Sequence, residues 1–386
     1  MIAPESLAHA VMPRAHVGAR DADALAMLAR GLGPGPFAVV ILFISPEADR
    51  DLLAPGLQAA FPGVTVIGCT TAGEISPEGY SDGEIVAVGL PSACFAVECL
   101  GIDLAALDGQ ELIGRLIRAR AGLARRHGGW EDEFAFLMVD GMSIREDELT
   151  AALGPGLGPG LGSVPLFGGS AGDGTRFGAT FVLQDGQFRQ GWAVLMLART
   201  ACKVRVFSLN HLTPTNRRMV VTRADPARRV VHQINAEPAA WEYARLLGKD
   251  PGQLTTFTFA AHPVVVRIGG SHHVRAIQRL DPNGDLVFFS AIDEGLVLTL
   301  AEPLDMAAHL DQALRDLAED GRPAILACDC ILRRIAAQEN QRFGAVSALL
   351  KAHGVVGFST YGEQLNSMHV NQTMTGVAIY PPKGAA

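Results

Sequence analysis

Three short segments hold a hydroxyl, a glycine and a carboxylate in one register: Thr71-Ala72-Gly73-Glu74, Ser170-Ala171-Gly172-Asp173 and Thr360-Tyr361-Gly362-Glu363. Hydroxyls and carboxylates accept backbone N–H bonds and glycine takes positive φ freely, so each segment reads as a tight turn. One such turn is structural by default. Three of them open a second reading, in which the turns converge and their free N–H groups, with Thr71 and Thr360, line a pocket for an anionic or polar ligand. An enzyme reading rests on Cys69, which lies in the glycine-rich stretch with Glu74 nearby. No G-x-S-x-G elbow, H-E-x-x-H pair or P-loop accompanies it, so the expectation is a binding protein and not an enzyme.

The elements that must position these turns repeat with them. Apolar runs at 37–44, 134–139 and 324–328 come first, then a helix-like or glycine-rich stretch, then a short apolar strand ending in the turn. A further apolar run follows each turn, at 84–90, 192–197 and 376–380. Runs of that length predict strands buried on both faces, hence a strand, helix, strand, turn, strand unit used three times. Helices are expected over 21–30, 104–127, 236–247, 304–320 and 339–353. Strands are expected over 203–210, 219–222, 263–268, 274–279 and 286–290, the last two joined by the turn Asp281-Pro282-Asn283-Gly284. The glycine-proline run 154–162 reads as a surface loop. This is an α+β, mixed α/β layout, with a boundary near Ala224-Asp225-Pro226 that gives domains 30–222 and 223–386.

Composition narrows the class. With 48% hydrophobic and 19% charged residues in 386, the chain has material for large cores. It holds 32 Lys+Arg against 40 Asp+Glu, a formal charge of −8, and has no basic block to track a phosphate backbone, which disfavours nucleic acid. Six cysteines without a C-x-x-C pair suit a reducing compartment. No apolar run approaches the roughly 20 residues that span a bilayer, and residues 1–6 lack signal-peptide character, so a cytoplasmic protein without a membrane anchor is expected.

The chain resembles the FIST family, with a FIST_N and a FIST_C domain in tandem. The motifs that carry the resemblance are Gly68-Cys69-Thr70-Thr71-Ala72-Gly73-Glu74, Leu166-Phe167-Gly168-Gly169-Ser170-Ala171-Gly172-Asp173, Gly357-Phe358-Ser359-Thr360-Tyr361-Gly362-Glu363 and His369-Val370-Asn371-Gln372-Thr373. The resemblance implies a sensory, ligand-binding role. The stretches 221–226, 259–266 and 328–333 look most like the bacterial nitric-oxide-sensing haemoproteins of that family, which act on a separate histidine kinase or cyclic-di-GMP enzyme. The alternative is a haem-free sensor of an amino acid or another small polar ligand.

If haem b is the cofactor it is non-covalent, because C-x-x-C-H is absent, and an imidazole is the expected iron ligand. Of the eleven histidines, three stand out. His262 precedes a strand among Phe257, Phe259 and Val264 and is favoured as the metal ligand; His211 follows, and then His369. Each has a structural alternative: a core imidazole bonded to a carbonyl, a turn residue, or part of the general FIST_C architecture. Haem propionates require cations, for which Arg275, Arg333 and Arg334 are candidates.

Overall fold

The computed structural model describes residues 10–158, 163–268 and 270–382. They form a mixed α+β fold in which one unit occurs three times. The first repeat is β1 (Arg14–Gly18), α1 (Ala24–Leu32), β2 (Phe37–Ile44), α2 (Arg50–Ala60), β3 (Val66–Thr70), a hairpin of β4 (Glu74–Ser76) and β5 (Gly79–Ser81), and β6 (Glu84–Pro91). The second is β7 (Phe95–Asp103), α3 (Gly109–Arg126), β8 (Asp132–Val139), α4 (Glu146–Leu157), β9 (Leu166–Ser170), a hairpin of β10 (Val182–Gln184) and β11 (Gln187–Arg189), and β12 (Trp192–Thr200).

The third repeat opens with β13 (Lys203–Leu209) and is then interrupted. The insert comprises β14 (Leu212–Asp225), β15 (Val230–Ile234), β16 (Glu237–Pro238), α5 (Ala239–Leu247), α6 (Thr256–Ala261), β17 (Val264–Ile268), β18 (Ser271–Arg275), β19 (Ile277–Leu280), β20 (Leu286–Phe288) and β21 (Val297–Pro303). The repeat resumes with α7 (Met306–Ala318), β22 (Ala324–Cys330), α8 (Ile331–Glu339), α9 (Phe343–Ala352), β23 (Val355–Thr360), a hairpin of β24 (Glu363–Leu365) and β25 (Met368–Val370), and β26 (Met374–Tyr380).

Each repeat builds four strands of a six-stranded sheet, in the orders β1-β6-β2-β3, β7-β12-β8-β9 and β13-β26-β22-β23. The remaining two strands come from a neighbour. The first sheet is completed by β10-β11, the second by β24-β25 and the third by β4-β5, so the hairpins are exchanged cyclically among the repeats. Only β2/β3, β8/β9 and β22/β23 pair in parallel within these sheets. The insert folds as its own sheet, β18-β17-β21-β14-β15-β20-β19, with β16 on β15.

The period-two alternation of each strand explains why the continuous apolar runs are buried on both faces. Along β2, Val39, Ile41 and Phe43 face a core shared with Phe136 of the second sheet and Cys328 and Phe358 of the third. Val40, Leu42 and Ile44 face the other way, onto Leu28 of α1 and Leu57 of α2. The same division places Leu137 against Leu116 and Leu153, and Ile325 against Leu314 and Leu350. Phe43 stacks on Phe358 with centroids 4.8 Å apart and meets Phe136 edge-on at 6.4 Å, so the middle of the three-sheet body is filled.

Local differences from the sequence expectations have tertiary causes. The stretch 154–157 closes α4 rather than forming a loop; residues 159–162 lie outside the described residues. Gly156 is what permits this, since a Cβ there would sit 2.6 Å from Leu116 on α3. Helix α8 follows β22 directly, without a polar break to announce it, and the strand expected at 219–222 is the middle of the longer β14. Position 222/223 therefore falls inside one strand. The entry to the insert and its exit run side by side, Leu304 donating its N–H to the His211 carbonyl at 2.8 Å.

Candidate functional site

The three motif turns do converge. Ala72 N–H bonds to Ser359 O at 2.9 Å and Ser359 N–H to Gly73 O at 2.7 Å; Gly172 N–H bonds to Thr70 O at 3.0 Å; Ser170 N–H bonds to Gly362 O at 2.8 Å. Each turn thus holds the other two. This corrects the reading in which free amides line a pocket, because these amides, together with those of Ala171 and Tyr361, are engaged by neighbouring carbonyls. Gly172 has no room to vary, since a Cβ would lie 2.6 Å from the Ala72 nitrogen.

The side chains of the motif are also engaged. Thr71 donates its hydroxyl to Glu74, and Thr360 donates to Glu363. Glu74 further accepts the Glu84 N–H at 3.1 Å, and Glu363 accepts the N–H and hydroxyl of Thr373 at 3.1 and 2.8 Å. Each glutamate therefore ties a turn to the point where the last strand of its repeat begins. Burial raises the Glu74 carboxyl to about 7 and the Glu363 carboxyl to about 8 against these hydrogen bonds. Asp173 behaves oppositely: although burial pushes upward, bonds from Tyr361, Ala179 and Gly178 hold it below its usual range. A cavity of about 240 Å³ touches the turns at Gly73, Glu74 and Asp173, but Glu47 and Asp82 also line it, with Arg176 as counterweight. That lining suits no anion. Cys69 is fully buried, and burial pushes its thiol well up, away from the reactive thiolate form.

A second cavity, of about 610 Å³, brings together two of the expected histidines. It lies between the insert and the third repeat, where His211, His262, Arg333 and Gln372 meet an apolar wall that includes Ala260, Met306 and Leu332. Helix α6, capped by Thr255, ends at His262, whose carbonyl accepts the Tyr243 hydroxyl at 2.6 Å. Its imidazole is half-buried, and burial followed by Lys249 and Arg217 depresses its pKa. His211 is 3% exposed and sits on the connection from β13 to β14. Burial, then Arg333 and His309, push it down to about 2. Arg333 is itself fully buried against Asp329 at 2.7 Å, and Asp329 in turn accepts the Tyr80 hydroxyl of β5. Gln372 reaches the cavity by donating to Ala260 O at 3.2 Å.

The other expected residues lie elsewhere. His369, 2% exposed on β25, faces Gln364 at 3.3 Å, and burial lowers its pKa. Arg275 is beside it, 3.4 Å from the His369 carbonyl, so the two share a neighbourhood apart from the large cavity. Thr71 and Thr360 stay at the turns. Arg334 reaches Asp82 at 2.6 Å and lies over the Tyr80 ring, away from the cavity. Sequence reading passed over His309, which lies close enough to Arg333 and His211 to shift with them, and the exposed Arg217 and Arg342 that line the cavity. Residue type and spacing gave no signal for any of the three.

The insert's own core is separate, but its underside packs on the turns. Val265, Val274, Ala276 and Phe289 cluster with Ala72 of the first repeat, Phe177 of the second and Tyr361 of the third. The insert therefore covers the place where all three repeats meet.

Comparison with known families matches residues 38–237 to the FIST N domain and residues 239–366 to the FIST C domain. The chain belongs to the FIST family, whose domains are sensory, small-ligand-binding modules rather than catalytic ones. Comparison with curated proteins returns no match. No helix among the described residues is long and apolar enough to cross a membrane.

Proposed function

We propose that the cavity between insert and third repeat is the sensory site, and that its ligand is a b-type haem through which the protein senses nitric oxide and acts on a separate cytoplasmic histidine kinase or cyclic-di-GMP enzyme. One observation carries this reading: His211, His262, Arg333 and Gln372 line a single space of about 610 Å³ at the neck where the insert joins the body. That volume lies within the range of cofactor sites. Burial keeps both imidazoles neutral, the form that can ligate a metal. His262 is the proposed iron ligand, Ala260, Met306 and Leu332 the apolar wall, and the exposed Arg217 and Arg342 the partners for propionates. A bound haem supplies an iron that takes up nitric oxide. Because entry and exit of the insert both border the cavity, a change in its occupant acts directly on the angle between insert and body.

A second reading has its own support. Arg217 and Arg342 line the cavity opposite in charge to Glu302 and Asp305, a combination suited to a zwitterion such as an amino acid. Haemin titration of the purified protein distinguishes the two. A Soret band that saturates at one haem per chain, and is lost in His262→Ala, supports the haem sensor. An unchanged haemin spectrum, with calorimetric binding of a free amino acid, replaces it with the second reading.

A further inference from the structure

Two cysteines occupy equivalent places in consecutive repeats. Cys94 immediately precedes β7 and Cys202 immediately precedes β13, and the two thiols are near enough for Cys94 to act on that of Cys202. Their backbones are held together as well. Thr200 stands opposite Phe95 in the β7–β12 ladder, Ala201 donates its N–H to the Cys94 carbonyl at 3.0 Å, and the Thr200 hydroxyl donates to that same carbonyl at 2.8 Å. Cys202 N–H then bonds to the Thr200 hydroxyl oxygen at 3.0 Å. One threonine thus fixes both residues. Neither thiol borders the large cavity, and both pack on the rim of the central core.

We propose that Cys94 and Cys202 form a peroxide-responsive dithiol that closes to a disulfide, a modification site independent of the sensory cavity. Their exposure divides the roles. Cys94 is partly exposed and meets the oxidant; Cys202 is fully buried and resolves the intermediate. With hydrogen peroxide as oxidant, the Cys94 thiolate attacks one peroxide oxygen, forming an S–O bond as the O–O bond breaks, and the departing hydroxide leaves as water. Cys202 then attacks the sulfur of Cys94, forming the S–S bond as the S–O bond breaks, and a second water departs. Two electrons pass from the sulfurs to the peroxide and both thiol protons end in water. The bond encloses the whole of the second repeat, a long loop whose closure stabilises the folded chain.

The test treats the native protein with hydrogen peroxide, quenches it with catalase, and maps peptides without reduction. The expected result is a Cys94–Cys202 linked peptide two hydrogens lighter than its parts, reversed by dithiothreitol, with a thermal midpoint raised by about 2 °C or more. Cys202→Ser should instead accumulate Cys94 sulfenic acid, trapped by dimedone, while Cys94→Ser leaves Cys202 reduced. The proposal is overturned if all six thiols of the native protein stay titratable after peroxide, or if the link involves another pair. A folded Cys202→Ser variant whose Cys94 takes up no dimedone overturns it too.

Discussion

Arg333 lies 2.8 Å from Nδ1 of His211. A guanidinium only donates, so Nδ1 must accept and the proton of the neutral ring resides on Nε2. While that bond holds, neither nitrogen of His211 offers a lone pair to a metal. His262, whose ring no hydrogen bond ties among the described residues, is under no such constraint. On this ground His262→Ala should weaken haemin binding at least about tenfold, roughly 1.4 kcal/mol, whereas His211→Asn should leave it within about threefold. Haemin titrations of both variants check this, and the reverse order would move the iron ligand to His211.

The same histidine sets an acid dependence. Its pKa falls from 6.5 in the unfolded chain to about 2 in the fold, so the unfolded state binds the extra proton first. Its contribution is fully present above about pH 6.5 and is lost as pH falls below that toward 2. Urea denaturation between pH 7 and pH 4 should show stability declining, with His211→Asn removing up to about 1.4 kcal/mol per pH unit of that slope. An unaltered slope in the variant would mean that other groups account for the decline.

Glu363 runs the other way. Burial raises its pKa from 4.5 to about 8, so its contribution is present below about pH 4.5 and is lost as pH rises through 8. Glu363→Gln keeps an oxygen to accept the Thr373 N–H without the buried charge. Relative to wild type, this variant should gain stability progressively as pH rises from about 4.5 to about 8, and the gain of Glu74→Gln should level off sooner, at about pH 7, where its carboxyl titrates. Denaturation midpoints that keep a constant difference across that range would contradict this account.

The exchange of hairpins makes fragments incomplete. Residues 38–237, the extent of the FIST N match, lack β1 and both strands that complete the second sheet, while β4-β5 are left without the third sheet that receives them. Expressed alone, this segment should be aggregated or lack a cooperative unfolding transition, whereas the whole chain unfolds cooperatively. A sharp urea transition of the isolated segment would show that the exchange is dispensable.

The repetition itself was legible because the turn residues recur in register: Thr71, Ser170 and Thr360 do occupy matching turns. The buried strands were legible from unbroken apolar runs such as 37–44. What was not legible is non-local. Nothing in Glu74-Ile75-Ser76 indicates that these residues pair with Gly357 and Phe358 rather than with their own sheet. The helical ending of α4 escaped notice because the close contact of Gly156 with Leu116 overrides the low helix propensity of glycine and proline. His262 was legible from its apolar neighbours and His211 only as the start of a polar connection, whereas His309 on α7 and Arg342 just before α9 sit among polar residues that look solvated until the fold brings His309 near His211 and Arg333 and sets Arg342 on the cavity wall.

Cyclic strand exchange also dictates the order in which the molecule can be finished during synthesis. The first sheet waits for residues 182–189, the second waits for 363–370, and the β4 edge of the hairpin 74–81 must stay unpaired until β23 leaves the ribosome. No lobe of this protein can close early. The nascent chain exposes sheet edges until almost its last strand, which makes the interval before residue 380 emerges the period of greatest need for a chaperone.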